Sequence, residues 1–295
     1  MRGTIMAISI RQKFGLLLAL CIITISTTSA LAAELIVPDR HQAIQEAIDS
    51  AEAGDTVVIR GGEYRENIVL NKPLTVRGDT TSGAVVIIAA ITSEPVITVT
   101  GVTAVTIAGI TVSGSAIAGF YIVDSSAVKL LNTTATGNRY GIHLERSNGN
   151  TIQESRAERN EYGIYLTRSS DNAIEGNRAD NNNDKGIILF DSSRNSLTGN
   201  SATANLWDGI NLYNSHRNSI RGNKLWKNTF PMVIISSDDN ELADNSKMRR
   251  LYLILPVLLI YFGIVIYLVE RKLFYLFLSG PKRQKSKQMG NFGGG

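Results

Sequence analysis

Gly163-Ile164-Tyr165-Leu166, with Ser169, Asn172, Ile174 and Gly176-Asn177 behind it, is written out again and again in one register. Gly186-Ile187-Ile188-Leu189 brings Ser192, Asn195, Leu197 and Gly199-Asn200, and Gly209-Ile210-Asn211-Leu212 brings Ser215, Asn218, Ile220 and Gly222-Asn223. Gly141-Ile142-His143-Leu144 comes before them with Ser147, Asn150 and Ile152, so these four row starts are 22, 23 and 23 residues apart. Gly119-Phe120-Tyr121-Ile122 and Val96-Ile97-Thr98-Val99 extend the series upstream, and Pro231-Met232-Val233-Ile234 extends it downstream. Several columns repeating in phase mark a solenoid of stacked units.

Each row opens on period-two alternation, which is a strand signal: Ile142 and Leu144 point one way, His143 and Glu145 the other, and the same alternation is expected to bury Ile187 and turn Ile188 out to solvent. The stretches between strands are rich in Asn, Ser and Gly, which favour turns. A period of 22 to 24 fits three short strands and three turns per coil. A leucine-rich repeat would need Leu-x-x-Leu-x-Leu rows with a helical arm, and these arms are turn-like instead. The expected fold is all-β, a right-handed parallel β-helix solenoid of eight or nine coils, about 40 Å long at about 4.8 Å per coil. Asn138, Asn160, Asn183 and Asn228, just ahead of the rows, and Asn150, Asn172, Asn195, Asn218 and Asn240 behind them are expected to form structural ladders. His41 to Ala53 is amphipathic and is expected to form an N-terminal helical cap over the first coil.

The organisation expected is a signal peptide at 1–33, cap and first coil at 34–78, repeats at 79–246, a transmembrane helix at 251–269 and a basic cytoplasmic tail at 270–295. Arg2, Arg11 and Lys13 precede the apolar stretch Phe14 to Ile25, and Ala30-Leu31-Ala32 offers a cleavage site; an uncleaved N-terminal anchor is the alternative. Cys21, the one cysteine, falls in that signal, so the exported part carries no disulfide. Leu251 to Val269 is 19 residues without a charge, long enough to span about 28 Å as a helix. Six basic residues follow it against three before, which places the tail inside. The net charge of +4 therefore reflects topology: residues 33–246 carry 18 Lys and Arg against 25 Asp and Glu, 18 − 25 = −7. An acidic exported domain argues against nucleic acid as partner.

Ala47-Ile48-Asp49-Ser50-Ala51-Glu52-Ala53-Gly54-Asp55-Thr56-Val57, then Gly62-Glu63-Tyr64-Arg65-Glu66-Asn67-Ile68, then Lys72-Pro73-Leu74-Thr75-Val76-Arg77-Gly78 resembles the opening of NosD-like β-helix proteins. The row Gly163 to Asn177 resembles their repeat, and the resemblance covers roughly residues 40 to 245. It implies a parallel β-helix and a periplasmic accessory role in maturing the copper site of nitrous-oxide reductase, within a wider group of carbohydrate-binding and sugar-hydrolase β-helices. This chain departs from that pattern in its shortness and its membrane segment, and fold does not carry function with it.

Copper asks for clustered His, Met or Cys. His41, His143, His216 and Met232 are dispersed, so neither a metal site nor a cofactor is assigned; copper or calcium has no support in the residues. Catalytic residues are likewise not assigned, since motifs of the Asp-Pro-His type are absent. A ligand-binding face is expected on the first-strand column instead: Tyr121, His143, Glu145, Glu161, Tyr165, Asp184, Phe190, Asp208 and Tyr213. Glu161 and Asp184 share a column on adjacent coils, about 5 Å apart, the geometry of a carboxylate pair or a cation site unless Lys185 neutralises it. The reading is a membrane-anchored, single-pass, periplasmic or extracellular binding or accessory module, non-enzymatic, with the membrane and a polysaccharide or protein as partners. The alternative is a carbohydrate-active enzyme of the lyase, hydrolase or epimerase type on the same face.

Overall fold

The computed structural model describes residues 32–249 and 266–269. Residues 32–249 wind into a parallel β-solenoid of about nine turns. Its strands stack into sheets of ten, eight and five, and a further pair, β22 (Lys224–Asn228) with β25 (Ser246–Arg249), closes the last coil. The rows of the sequence are the strands of the eight-stranded sheet: β10 (Ala118–Val123), β13 (Tyr140–Glu145), β16 (Tyr162–Thr167), β18 (Ile187–Phe190), β20 (Asp208–Tyr213) and β23 (Phe230–Ile235).

The stacking register follows the sequence columns. Phe120, Ile142, Ile164, Ile187 and Ile210 pair one above another, as do Ile122, Leu144, Leu166, Leu189 and Leu212. All ten are at most 1% exposed. Each contributes about 1.5–3 kcal/mol by leaving water, and together they form one continuous apolar column.

The corners are polar and equally buried. Asn172 shows the pattern: its N–H donates to Asn195 Oδ1 (2.9 Å), and its Nδ2 donates to Ser147 O (3.1 Å) and to Asn195 Oδ1 (3.0 Å). The same bonds repeat along Asn150, Asn172, Asn195, Asn218 and Asn240, and again along Asn177, Asn200, Asn223 and Asn245. A hydroxyl column, Ser125 to Ser237, accepts the N–H of the coil before in the same way. Three turns of backbone per coil are thus satisfied without water.

A third ladder runs Asn138, Asn160, Asn182, Asn205 and Asn228. This corrects the expectation for Asn183, which is exposed and bonds only through its backbone N–H, to Asn160 O at 2.8 Å. The ladder explains the invariant-looking Gly of each row. A Cβ on Gly163 would lie 2.8 Å from Asn182 Nδ2 and 2.5 Å from Gly186 O, so only glycine fits beneath the ladder amide. The turn residue five positions after each of these glycines is left-handed, from Asp124 (φ 50°) through Arg146 (46°), Arg168 (48°) and Asp191 (50°) to Asn214 (46°).

Three further expectations change. A separate helical cap over 41–53 is not seen. The helix α1 (Ile44–Ser50) has seven residues and forms one side of the first turn, after β1 (Glu34–Val37), which is itself the outermost strand of the ten-stranded sheet. Extended backbone at Ala43 and Ala51 ends it on both sides. Ile188 was expected to be solvent-exposed; it faces outward but is only 6% exposed, roofed by the large side chains around it. The transmembrane segment falls outside the described residues except at 266–269, and among the described residues no helix is long and apolar enough to cross a membrane.

The ladder correction is testable on adjacent residues. Asn182→Ala should cost about 2–4 kcal/mol, because it strands the Asn160 N–H and the Ala157 carbonyl in a dry corner. Asn183→Ala should stay within about 0.5 kcal/mol. Thermal melts of the two variants should separate clearly; equal losses would mean that the ladder runs through a different residue.

Candidate functional site

The alternation that buries Ile142 and Leu144 turns two columns of the same sheet outward, and a break in it at the buried row glycine adds a third. One is Tyr121, His143, Tyr165, Ile188, Asn211 and Val233, and the next is Val123, Glu145, Thr167, Phe190, Tyr213 and Ile235. The third lies one residue before each row start and holds Tyr140, Tyr162, Lys185, Asp208 and Phe230. Sequence reading took only Asp208 from this column as a site residue. Tyr140 and Tyr162 share the parity of Ile142 and Ile164, and they face out only because Gly141 and Gly163 are buried and break the alternation.

These columns form an aromatic sheet face. Tyr140 lies 5.2 Å from Tyr162 and 5.2 Å from Tyr165, with interplanar angles of 20° and 10°. His143 is enclosed by Tyr121, Tyr140 and Tyr165 at 5.2, 4.9 and 5.1 Å. Phe190 and Tyr213 stack separately at 5.0 Å and 7°. Between the two groups runs an open groove of about 290 Å³, walled by Tyr140, Tyr162, Tyr165, Phe190 and Tyr213 over a floor of Ile188 and Asn211, with Lys185 at its edge.

The corner beside the groove is where the 23-residue coils keep their additional residue. Asn138 and Gly141, like Asn160 and Gly163, are three apart; Asn182 and Gly186, like Asn205 and Gly209, are four apart. The insertion leaves the ladder closed, with Asn182 Nδ2 donating to Asn205 Oδ1 at 3.0 Å. It sets Asp184 and Lys185 beside the groove and leaves Leu206 and Trp207 projecting, each 51% exposed.

The carboxylates flank the groove and are already engaged. Glu145 accepts from the Tyr121 hydroxyl (2.6 Å), from Arg146 and from Arg168 (3.4 Å). The tyrosine bond, opposed by desolvation and helped by the Arg146 charge, holds Glu145 below the ordinary carboxylate range. Asp208 takes Asn211 Nδ2 at 2.7 Å, and its burial raises it. Glu161 and Asp184 are adjacent through a 2.8 Å backbone bond, yet each side chain has its own cation: Arg139 at 3.6 Å for Glu161, Lys185 at 2.9 Å for Asp184. Burial, with help from Glu145, pushes the Tyr121 hydroxyl up to about 12; burial and the Asp184 bond raise Tyr162, and burial raises Tyr140.

Thus Tyr121, His143, Glu145 and Tyr165 come together, Phe190 and Tyr213 form the opposite wall, Asp184 and Asp208 lie behind Lys185 and Asn211, and Glu161 stands at the outer edge, half-exposed.

Desolvation among the rings lowers His143 to about 4, with Glu145 pulling only weakly the other way. A base depressed on folding binds its proton more readily unfolded, so its neutral state stabilises the fold fully above the free value near 6.5 and loses that contribution as pH falls from there to about 4. His143→Phe keeps a ring and cannot charge. Between pH 7 and pH 4.5 the variant should lose less stability than the parent, by up to roughly 2–3 kcal/mol. Parallel thermal melts at the two pH values measure this, and an identical loss in both proteins would exclude a buried neutral imidazole.

Among solved structures the chain is similar to the periplasmic alginate epimerase AlgG, at 18% identity over 72% of this chain and 68% of that chain, with a TM-score of 0.51. It is also similar to a rhamnogalacturonan lyase, at 14% identity over 61% of this chain and 62% of that one, with a TM-score of 0.51. A variant of AlgG aligns at 21% identity and a TM-score of 0.49 over 73% of this chain but 57% of its own, so the chain spans less than two thirds of that protein. At such identities the likeness shows the fold alone. No curated protein sequence matches the chain. The family model described as NosD, periplasmic copper-binding protein, matches residues 76–247, more than half of the chain, and the protein belongs to the NosD family.

Proposed function

We propose that this protein is an extracytoplasmic, membrane-anchored binding module that holds a glycan along the aromatic face of its solenoid without transforming it. The observation that carries this is the groove between the Tyr140–Tyr165 group and the Phe190–Tyr213 stack. Flat rings supply apolar area for the C–H faces of sugar rings, and phenolic hydroxyls, Lys185 and Asn211 supply hydrogen bonds to sugar hydroxyls. The linear stack suits an extended chain because equivalent side chains recur once per coil. Catalysis has less support: none of the residues lining the groove is Asp, Glu or His, and the raised hydroxyls of Tyr140 and Tyr162 make poor bases. A carbohydrate-active enzyme remains the second reading, favoured by the shared fold with AlgG and the rhamnogalacturonan lyase.

The family's copper does not fit the described residues. His143 is half-buried among rings with its Nε2 3.4 Å from Thr167 Oγ1, His216 accepts the Asp238 N–H through Nδ1 (3.0 Å), His41 faces Glu46 at 3.9 Å, and Met232 packs against the core. Among the described residues no three His, Cys, Asp or Glu converge on a point where an ion could sit. No step of the proposed function runs through copper.

Two measurements test this. The detergent-solubilised full chain, screened on a glycan array, should bind at least one polysaccharide class, and Tyr165→Ala with Phe190→Ala should weaken that binding at least about tenfold with circular dichroism unchanged. Intact affinity in the double variant removes the face as the site, and shortened or unsaturated product replaces binding with catalysis. For topology, protease added to intact spheroplasts should digest residues 34–246 and spare a tag on the C-terminus; loss of the tag refutes the orientation.

A further inference from the structure

The C-terminal end of the solenoid differs from its flanks. Ile234 and Leu242 occupy inward columns, above Leu212 and Ile220, yet are 38% and 44% exposed because no further coil covers them. One corner of this end is also aromatic. Trp207 and Phe230 lie on neighbouring coils, 51% and 43% exposed, with Leu206 (51%) beside them and Trp226 (36%) across the turn. Lys224 holds its ammonium 4.4 Å over the Trp226 ring. Both tryptophans of the chain are therefore in its last two coils, at one corner.

The chain leaves the solenoid at that corner. β25 pairs with β22 so that Arg249 lies against Asn228, two residues from Phe230. The uncharged apolar run begins at Leu251, and two residues of chain reach no more than about 7 Å. Where that run enters a bilayer, Phe230 is within roughly 20 Å of the entry point, and a tilt of the solenoid toward that side brings the Trp207–Phe230 corner into the interfacial zone of about 5–7 Å per leaflet. Tryptophan is the side chain best suited to that zone, being apolar in body and polar at its N–H. The charge is matched as well: Lys224 and Lys227 flank Trp226, and Lys247, Arg249 and Arg250 follow in the sequence, whereas the acidic residues Asp238, Asp239 and Glu241 lie on a different turn, facing His216, Arg217 and Arg221.

We propose that this corner is a membrane-seating surface, with Leu206, Trp207, Trp226 and Phe230 in the interface of an anionic bilayer and Lys224 and Lys227 at its headgroups. It rests on the anchored reading above and adds to it an orientation. The solenoid stands on its C-terminal end, tilted toward the aromatic corner, so the groove faces sideways above the membrane surface and not down onto it.

Because the chain has two tryptophans and both are here, tryptophan fluorescence, excited at wavelengths that tyrosine does not absorb, reports on this corner alone. The full chain is reconstituted into phosphatidylcholine–phosphatidylglycerol vesicles whose acyl chains carry bromine close to the glycerol. Membrane-inserted chain, defined by resistance to alkaline carbonate extraction, should be quenched by the brominated lipid, and acrylamide in the aqueous phase should quench it weakly. Trp207→Phe and Trp226→Phe should each remove part of the effect, and Lys224→Glu with Lys227→Glu should reduce it. Inserted chain that bromine does not quench overturns the proposal: strong acrylamide quenching would then mean an end standing clear in water, and weak acrylamide quenching an end covered by a second copy or another protein. Chain that carbonate extracts overturns the anchored reading first, and the seating with it.

Discussion

A solenoid must bury three turns of backbone in every coil, and the asparagine ladder is the interaction that makes this tolerable. Each ladder side chain accepts the N–H of the previous coil and donates both to a carbonyl of that coil and to the amide oxygen of the next. An unpaired buried amide costs about 1–3 kcal/mol, so corners turning in dry interior without these side chains would outweigh much of what the isoleucine columns contribute. The ladder also dictates its surroundings. Asn160, Asn182 and Asn205 come within 3 Å of where a side chain would begin at Gly141, Gly163 and Gly186, and Ala157, Ala179 and Ala202 crowd the same points. The small residues of the repeat exist to make room for an amide.

Where the ladder corner gains a residue, the surface changes character. In the first regular coils two residues separate asparagine from glycine, the corner is tight, and tyrosines of adjacent coils lie almost face to face. In the two coils with three, the tyrosine column gives way to Lys185 and Asp208, and the face opens into a groove. The same insertion one coil later throws out Leu206 and Trp207. A single added residue at one corner thus separates a closed aromatic surface from a groove, and the groove from the apolar end.

Most of the architecture could be read in the sequence because a solenoid repeats its contacts as well as its letters. The inward isoleucines, the serine column and two asparagine columns had the right register. The third failed at Asn181-Asn182-Asn183, where three candidates stand together as the period changes from 22 to 23, and only the bond from Asn160 shows which amide is used. Ile188 was misjudged for another reason. Alternation tells which side of a strand a residue faces, whereas its burial depends on how tall its neighbours are along and across the sheet. The helix was overestimated because amphipathic spacing is blind to the extended conformations at Ala43 and Ala51 that confine it. In the candidate site, Tyr140 and Tyr162 were missed because strict alternation puts them on the inward side with Ile142 and Ile164, and the break in it at the buried row glycine shows only in the structure.

Every bond from one ladder asparagine to another joins a residue to its equivalent 22 or 23 positions along the chain. The molecule therefore carries a built-in unit of length. Removing or duplicating one whole turn, from one row glycine to the next, would reunite the same chemical neighbours and leave both ends as they were. What would change is height: each turn raises everything above it by about 4.8 Å. The distance at which the aromatic groove stands from the last coil is then a countable number of steps, adjustable by whole turns without redesigning either the groove or the end.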